Sequence, residues 1–438
     1  MFSAVDGFRF ININVANGYI ATLANAEFFT GIPTSDGNVL RLGGEFLNGS
    51  DTDIGYVALN NAKGARIISE KVIGNVSVNQ ESVCMTTIPS SNSSILVGQN
   101  ANQAYITYLD SSNNISWQKQ LNSNIAITGT SYYTNVTVED SGANIYASGY
   151  VTILIGGSVW GISELVKYNS SGTILSQDRV AYINELPTGL FSAEIQDLVM
   201  DSGNNLYITG YVPQSFDGNI TYVTGGSVRK QNTSGTVVWN NGLYSVSGNI
   251  TFTQSVVDTE NNVYTIGSSS INPYPEIIAK FYSNGDLSWQ KKISNVSLLS
   301  LTTDSIGNVY VGGRLSPDIA NALYFSLDSN TGNINWQNFI NSGNNGNIFL
   351  ADINYANNFL YVGGYTDSNL GLAMKLPSDG TGTGQHGSYN ISTGNVAIST
   401  SSLSEGGANF SFTSTSYAVT TPTESIKNGS TGRRIIPL

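Results

Sequence analysis

Residues 304–313, DSIGNVYVGG, decide the fold. An acidic residue opens the segment, glycine and asparagine follow within four positions, and a β-branched and aromatic run ends on glycine. Asp at the start of a β-turn accepts backbone hydrogen bonds, and Gly or Asn tolerates positive φ. The Val-Tyr-Val run then suits a short strand. The same form, D-x-x-x-N-x-Y-x-x-G, recurs as DSGNNLYITG at 201–210 and DTENNVYTIG at 258–267, with a shorter version, DSGANIYASG, at 140–149. Looser copies are SDGNVLRLG ending at Gly43, SSNSSILVG ending at Gly98 and ANNFLYVGG ending at Gly364. The closing glycines fall at 43, 98, 149, 210, 267, 313 and 364, at intervals of 46 to 61 residues. A self-similar unit of that length is the signature of a propeller blade.

Each unit has a second half, an apolar run, a polar turn with glycine, and a strand that often carries tryptophan. Examples are AYITYLDSSNNISWQKQ ending at Gln120, SVRKQNTSGTVVWNN ending at Asn241, IIAKFYSNGDLSWQKK ending at Lys292 and LYFSLDSNTGNINWQN ending at Asn338. LVKYNSSGTILSQ, ending at Gln177, has the turn without the tryptophan; YVALNNAKGARIIS in the first unit is weaker, and the last keeps only LAMKLPSDGTG. Two hairpins make a four-stranded blade, which cannot bury both faces alone, so blades stack and close a ring. The expectation is an all-β, seven-bladed propeller of four-stranded antiparallel blades.

Several repeat positions are expected to shape the blade interfaces. The glycines Gly149, Gly210, Gly267, Gly313 and Gly364, with the tyrosines three residues earlier (Tyr146, Tyr207, Tyr264, Tyr310 and Tyr361), are expected to let neighbouring blades approach closely. Trp117, Trp239, Trp289 and Trp336 share one position and are expected to pack between blades, whereas Trp160 lies outside the frame. Residues 1–24 form an N-terminal arm in which FRFININV, from Phe8, could close the ring against blade seven. The propeller occupies 25–384. GSYNISTGN, from Gly387, could supply the missing fourth strand of blade seven, and 385–438 is a β-prone tail for ring closure or attachment, expected to pair with the propeller, another copy or a larger assembly.

Composition narrows the chemistry. With 18 basic against 30 acidic side chains the net charge is −12, which argues against nucleic acid, since phosphate binding needs a clustered basic surface. Cys84 is the only cysteine and His386 the only histidine, so a zinc site of the usual type and an intramolecular disulfide are excluded, and a Ser-His-Asp triad has only a loop histidine to use. No EF-hand-like spacing occurs; calcium at turns such as DSSNN from Asp110 is a minority reading, and the structural role of these turns is favoured. MFSAVDGFRFININV lacks the segments of a secretory signal peptide, and no run is long and apolar enough for a membrane-spanning helix. Catalytic, cofactor and metal residues are expected to be none.

Two local resemblances bear on the turns. SLDSNTGNINW, residues 326–336, resembles the tryptophan-docking motif of quinoprotein propellers, which implies interblade tryptophan packing; pyrroloquinoline quinone is not carried over, because the other repeats match loosely and a vicinal cysteine pair is impossible. S-x-x-G-x-x-x-W also resembles the Asp-box of sialidase-type propellers, but Arg9, Arg41, Arg66, Arg179, Arg229 and Arg314 do not fall into the arginine clamp of those enzymes. As a whole the chain resembles repeat propellers of bacterial surfaces and of structural proteins of marine bacteriophages, through GNVYVGG at 307–313, the WQK-like units and SDGTGTG at 378–384. That resemblance implies a non-enzymatic virion component (tail, fibre or capsid surface). Its chain ends would meet other virion proteins, and its loops a host glycan or protein; the long insertions between half-repeats, Val151 to Ile162 and Phe216 to Gly226, are the candidates for those partner-contacting loops. A bacterial surface or scaffold propeller and a carbohydrate-active hydrolase are the alternative readings.

Overall fold

The computed structural model describes residues 9–12, 18–24, 26–48, 51–61, 66–73, 80–100, 103–122, 131–155, 158–180, 193–216, 219–316, 321–343, 346–405, 412–414, 418–420, 426–428 and 436–437. They form seven separate antiparallel blades, lettered A to D from the centre outward. Blade one is built from Ala26–Pro33, Val39–Asn48, Asp51–Asn60 and Arg66–Ile73, and blade five from Ile250–Val257, Val263–Ser269, Glu276–Phe281 and Leu287–Ile293. Strand A of each blade touches strand A of the next, and Ile348–Ala356 of blade seven returns to Ala26–Pro33, so the ring is closed. The fold is an all-β, seven-bladed propeller.

The core lies between blades. Strand C of blade six, Asn321–Leu327, is buried at six consecutive positions because a blade covers each face. At the seam, Tyr361 and Ala373 of blade seven pack with Phe28, Leu40, Leu42 and Val57 of blade one. Backbone meets backbone there: a Cβ on Gly363 would lie 2.9 Å from the amide nitrogen of Gly31. This is the close interblade approach expected of glycine, found at Gly363 and not at the neighbouring Gly364.

The fourth strand of blade seven is Tyr19–Ala24, antiparallel to Leu370–Pro377 from Tyr19↔Lys375 to Ala24↔Leu370. Arg9–Asn12, within the FRFININV segment, pairs one place further out. GSYNISTGN lies elsewhere than expected. Tyr389–Thr393 pairs with strand D of blade six, Ile334–Asn341, because the fourth place in blade seven is already filled.

From there the chain runs backwards around the outside of the ring. Ile398–Thr400 adds to strand D of blade five, Ser404–Glu405 to blade four, Phe412–Ser414 to blade three, Ala418–Thr420 to blade two and Ile426–Asn428 to blade one. These additions are antiparallel, and Ile436–Pro437 completes the circuit parallel to Arg9–Asn12 on blade seven. Every outer edge, which would otherwise expose unpaired backbone groups, thereby gains a partner. In blades five and six the glutamine after the strand-D tryptophan clasps this belt. Gln337 donates to Val396 O at 3.1 Å and accepts from Val396 N at 2.7 Å, and Gln290 does the same with Leu403 at 2.8 and 3.1 Å.

Candidate functional site

The repeat motif is a hydrogen-bonded cluster at the A–B turn. In blade five, Asp258 Oδ1 accepts from the backbone of Glu260 and Asn262, while Oδ2 accepts from Asn262 Nδ2 at 2.9 Å and Tyr264 Oη at 3.1 Å. Asp304 holds Asn308 and Tyr310 in the same way, at 2.7 and 3.0 Å. In blade three the carboxylate is Glu139, which binds Asn144 and Tyr146, and not Asp140 of the sequence motif. Burial and the adjacent carboxylate push Tyr264 and Tyr310 above the ordinary tyrosine range. Tyr207 and Tyr361 also reach the next blade, donating to Asn261 O and Gly37 O, each at 3.1 Å.

The motif's glycine has a different cause from the one expected. Strand A carries a bulge in every blade, and the closing glycine of strand B faces it: Tyr133↔Gly149, Ile195↔Gly210, Phe252↔Gly267, Leu298↔Gly313 and Leu350↔Gly364. The bulge throws a carbonyl over strand B, so a Cβ on Gly149, Gly210 or Gly267 would sit 1.9 Å from that oxygen. The constraint acts within a blade and not between blades. In blade one the equivalent position is Gly44, opposite Phe28, one residue beyond the Gly43 chosen from the sequence.

The tryptophans lie against the turn that follows strand C in the next blade. Trp117, Trp239 and Trp289 donate Nε1–H to Ser170, Ser283 and Ser329 carbonyls at 2.9, 2.9 and 3.0 Å. Added Cβ atoms on Gly172, Gly285, Gly332 and Gly380 would meet the rings of Trp117, Trp239, Trp289 and Trp336 at 2.9 Å or less, and all four glycines have positive φ. Across blade five a tyrosine, a lysine and the tryptophan stand side by side: Lys280 Nζ is 5.1 Å from the Tyr264 ring, and the Tyr264 and Trp289 rings are 6.0 Å apart. Blade four repeats this with Tyr207, Lys230 and Trp239, and Lys230 adds an ion pair to Asp201 at 3.0 Å. In blade seven Tyr19 takes the tryptophan place, opposite Lys375, and donates to Asn61 Oδ1 of blade one at 2.5 Å. The side chain of Trp160 lies outside the described residues.

One inner set of residues escaped the sequence reading. In five blades the position after the bulge carries a side chain that accepts a backbone N–H from the next blade, whereas in blade three Asn135 donates instead, to Gln196 O. Asp197 takes that of Ser255 at 2.7 Å, Gln254 that of Leu301 at 2.9 Å, Ser300 that of Ile353 at 3.0 Å, and Asp352 that of Gly31 at 3.0 Å. Cys84 faces the amide of Val136 in the same way; burial pushes its thiol up to about 12. Burial lifts Asp197 to about 7, against the Ser255 hydrogen bonds, and also raises Asp352. With both carboxylates committed to backbone donors, the arrangement is a set of latches between neighbouring blades. Asp110 likewise spends Oδ1 on the Ser112 and Asn114 amides, and no cluster of three metal-binding side chains occurs among the described residues. His386 is buried and bonds Gly382 O at 2.7 Å.

Among the described residues, two cavities and a pair of hairpins stand out on the surface. A cavity of about 480 Å³ on the A–B turn face is lined by Pro33, Thr34, Ser305, Tyr355, Asn357 and Asn358, which offer hydroxyls and amides. A second, of about 320 Å³, lies between blades three and four beside Tyr146, Lys167, Ser176 and Gly235. On the opposite face, the two segments read as loops are extended hairpins. Asn144–Ile155 and Ser158–Asn169 pair continuously to Ile155↔Ser158, and Leu206–Phe216 with Asn219–Gln231 pair to Phe216↔Asn219.

No protein-family model matches the chain, and no curated protein does. Among solved structures it is similar to the Nup133 β-propeller domain of Vanderwaltozyma polyspora, at 12% identity over 83% of this chain and 99% of that one, with a TM-score of 0.48. A Dyadobacter fermentans protein of unknown function matches at 10% identity over 86% and 99%, with a TM-score of 0.46. The acylaminoacyl peptidase of Pyrococcus horikoshii matches at 10% identity and a TM-score of 0.46 over 77% of this chain, which spans about half (49%) of the peptidase. Likenesses this distant carry no functional argument, and the chain's own strand topology makes it a seven-bladed β-propeller.

Proposed function

We propose that this propeller is a non-enzymatic structural and adhesion module of a virus particle, touching a host surface with the raised hairpins of one face. The carrying observation is the asymmetry of that face. Strands B and C have 12 residues each in blade three and 11 and 13 in blade four, against 7 and 6 in blade five. Adjacent tall hairpins on a rigid ring suit contact with a large partner. The turn-face cavity, furnished with hydroxyls and amides, suits hydrogen bonding better than acid–base chemistry. The resemblance of the repeats to marine bacteriophage propellers supports the particle, with the chain ends joining it to other virion proteins. Two measurements test the reading: mass spectrometry of purified particles, and host-cell adhesion after both hairpins are cut back to the height of blade five. Absence from the particles overturns the first half, and undiminished adhesion by a folded, trimmed protein overturns the second.

A further inference from the structure

The cavity between blades three and four is a docking slot without its tryptophan. Ser176 faces Lys167 as Trp239 faces Lys230 and Trp289 faces Lys280, with the same irregularity one step further along. Ser176 therefore holds the tryptophan position of blade three. Across the interface, the blade-four turn Asn232–Gly235 keeps the docking geometry. Gly235 has positive φ, like the four glycines beneath tryptophans, yet a Cβ built on it meets nothing within 4 Å. Thr233 O occupies the place of Ser170 O, Ser283 O and Ser329 O, the indole acceptors.

Four of the other blade interfaces hold a tryptophan, and Tyr19 bonds Asn61 at the seam. Between blades one and two, where Ser69 holds the tryptophan position, the glycine place is taken by Asn113, which accepts from Tyr56 Oη and so lacks the bare glycine of the docking turn. Lys167 already donates to Thr233 O at 3.3 Å, which does not block the slot. In blade six, Ser329 O accepts from both Lys280 Nζ at 3.1 Å and Trp289 Nε1 at 3.0 Å. Leu175, which lines the cavity, is 53% exposed and offers a ring an apolar contact.

We infer that this slot binds the tryptophan side chain of a partner polypeptide, its indole flat on Gly235 and its N–H donated to Thr233 O. The four filled slots supply the template for ring, orientation and acceptor. At about 320 Å³ the cavity is at the small end of ligand-sized pockets, as one aromatic ring requires. The inference is independent of the adhesion reading, because the slot and the tall hairpins open on opposite faces.

The test is saturation-transfer NMR on the full chain with N-acetyltryptophanamide, followed by a tryptophan-containing peptide. Transfer to the indole protons is expected, with a dissociation constant on the order of 1 mM for the lone residue. N-acetylphenylalaninamide, lacking the N–H, should bind weaker by about fivefold. Ser176→Trp supplies the ring in cis, so it should abolish transfer and raise the melting temperature. Leu175→Asp, at an exposed side chain that leaves the fold intact, should weaken binding. No transfer to the wild-type protein, or transfer unchanged in both variants, overturns the inference.

Discussion

Gly312 and Gly313 are chain neighbours in one strand, and the structure assigns them opposite sensitivities. A Cβ on Gly313 would meet Ser297 O at 2.3 Å, the carbonyl displaced by the strand-A bulge of its own blade. A Cβ on Gly312 would point at blade seven and meet Ile353 Cγ2 at 3.5 Å, an ordinary contact. Gly313→Ala must therefore push a strand of its own sheet aside, at a cost of about 3 kcal/mol or more. Gly312→Ala should fall within about 0.5 kcal/mol of wild type, or gain slightly by restricting the unfolded chain. Gly267→Ala, with its oxygen at 1.9 Å, should be worse than Gly313→Ala. Urea unfolding followed by tryptophan fluorescence ranks the three by midpoint. Were these glycines required for blades to approach, Gly312, whose methyl faces the next blade, would be the intolerant one. That inverted ranking, or equal losses, would refute the bulge argument.

Other expectations concern the belt, the tryptophans and the carboxyls. Gln290→Ala should free the Leu403 backbone and speed hydrogen exchange across 398–405 while leaving strands A to C protected; unchanged exchange there counts against the clasp. Trp289→Ala loses the bond to Ser329 O and the packing on Gly332, and should cost about 2–4 kcal/mol in urea, against less than 1 for Ser176→Ala at the unfilled position. Burial raises Asp197 and Glu276 from 3.8 and 4.5 to about 7 each. Such groups contribute stability fully present below their unfolded values and lost as pH rises through the folded ones. The urea midpoint should thus be lower at pH 8 than at pH 5, and Asp197→Asn should flatten part of the decline; a flat wild-type profile would speak against it.

The blade count was legible because the turn cluster is local: Asp258, Asn262, Tyr264 and Gly267 span ten residues and keep their spacing whatever the loops do. Even so, the glycine was misread as an interblade device, since its clash partner lies on a neighbouring strand and strand pairing shifts by one at the bulge. The latch residues Cys84, Asp197, Gln254, Ser300 and Asp352 were hidden because the shared requirement is an acceptor, which four different side-chain types meet here. That the tail would pair with the propeller was foreseeable from its β-prone composition, but its course around every blade was not. Its strands are as short as two or three residues, and their partners are distant in sequence. One trace was present: Ile391 and Ile398, like Val396 and Leu403, stand seven residues apart and all four pack against the blades. The unfilled slot was visible as Ser176 in place of tryptophan, but the facing Gly235 and Thr233 carbonyl needed the fold to bring them there.

The belt also counts. Each blade offers one outer edge and the returning chain supplies one rung for it, ending beside the strand that the N-terminal segment contributes to blade seven. A ring with one blade more would leave an edge bare, and a ring with one fewer would leave a rung without a seat. Repeat arrays gain and lose units readily, yet here any such change must be matched by a compensating change in a segment far along the chain. The number seven is thus written twice in this protein, once in the repeats and once in the strap, and the two records must agree.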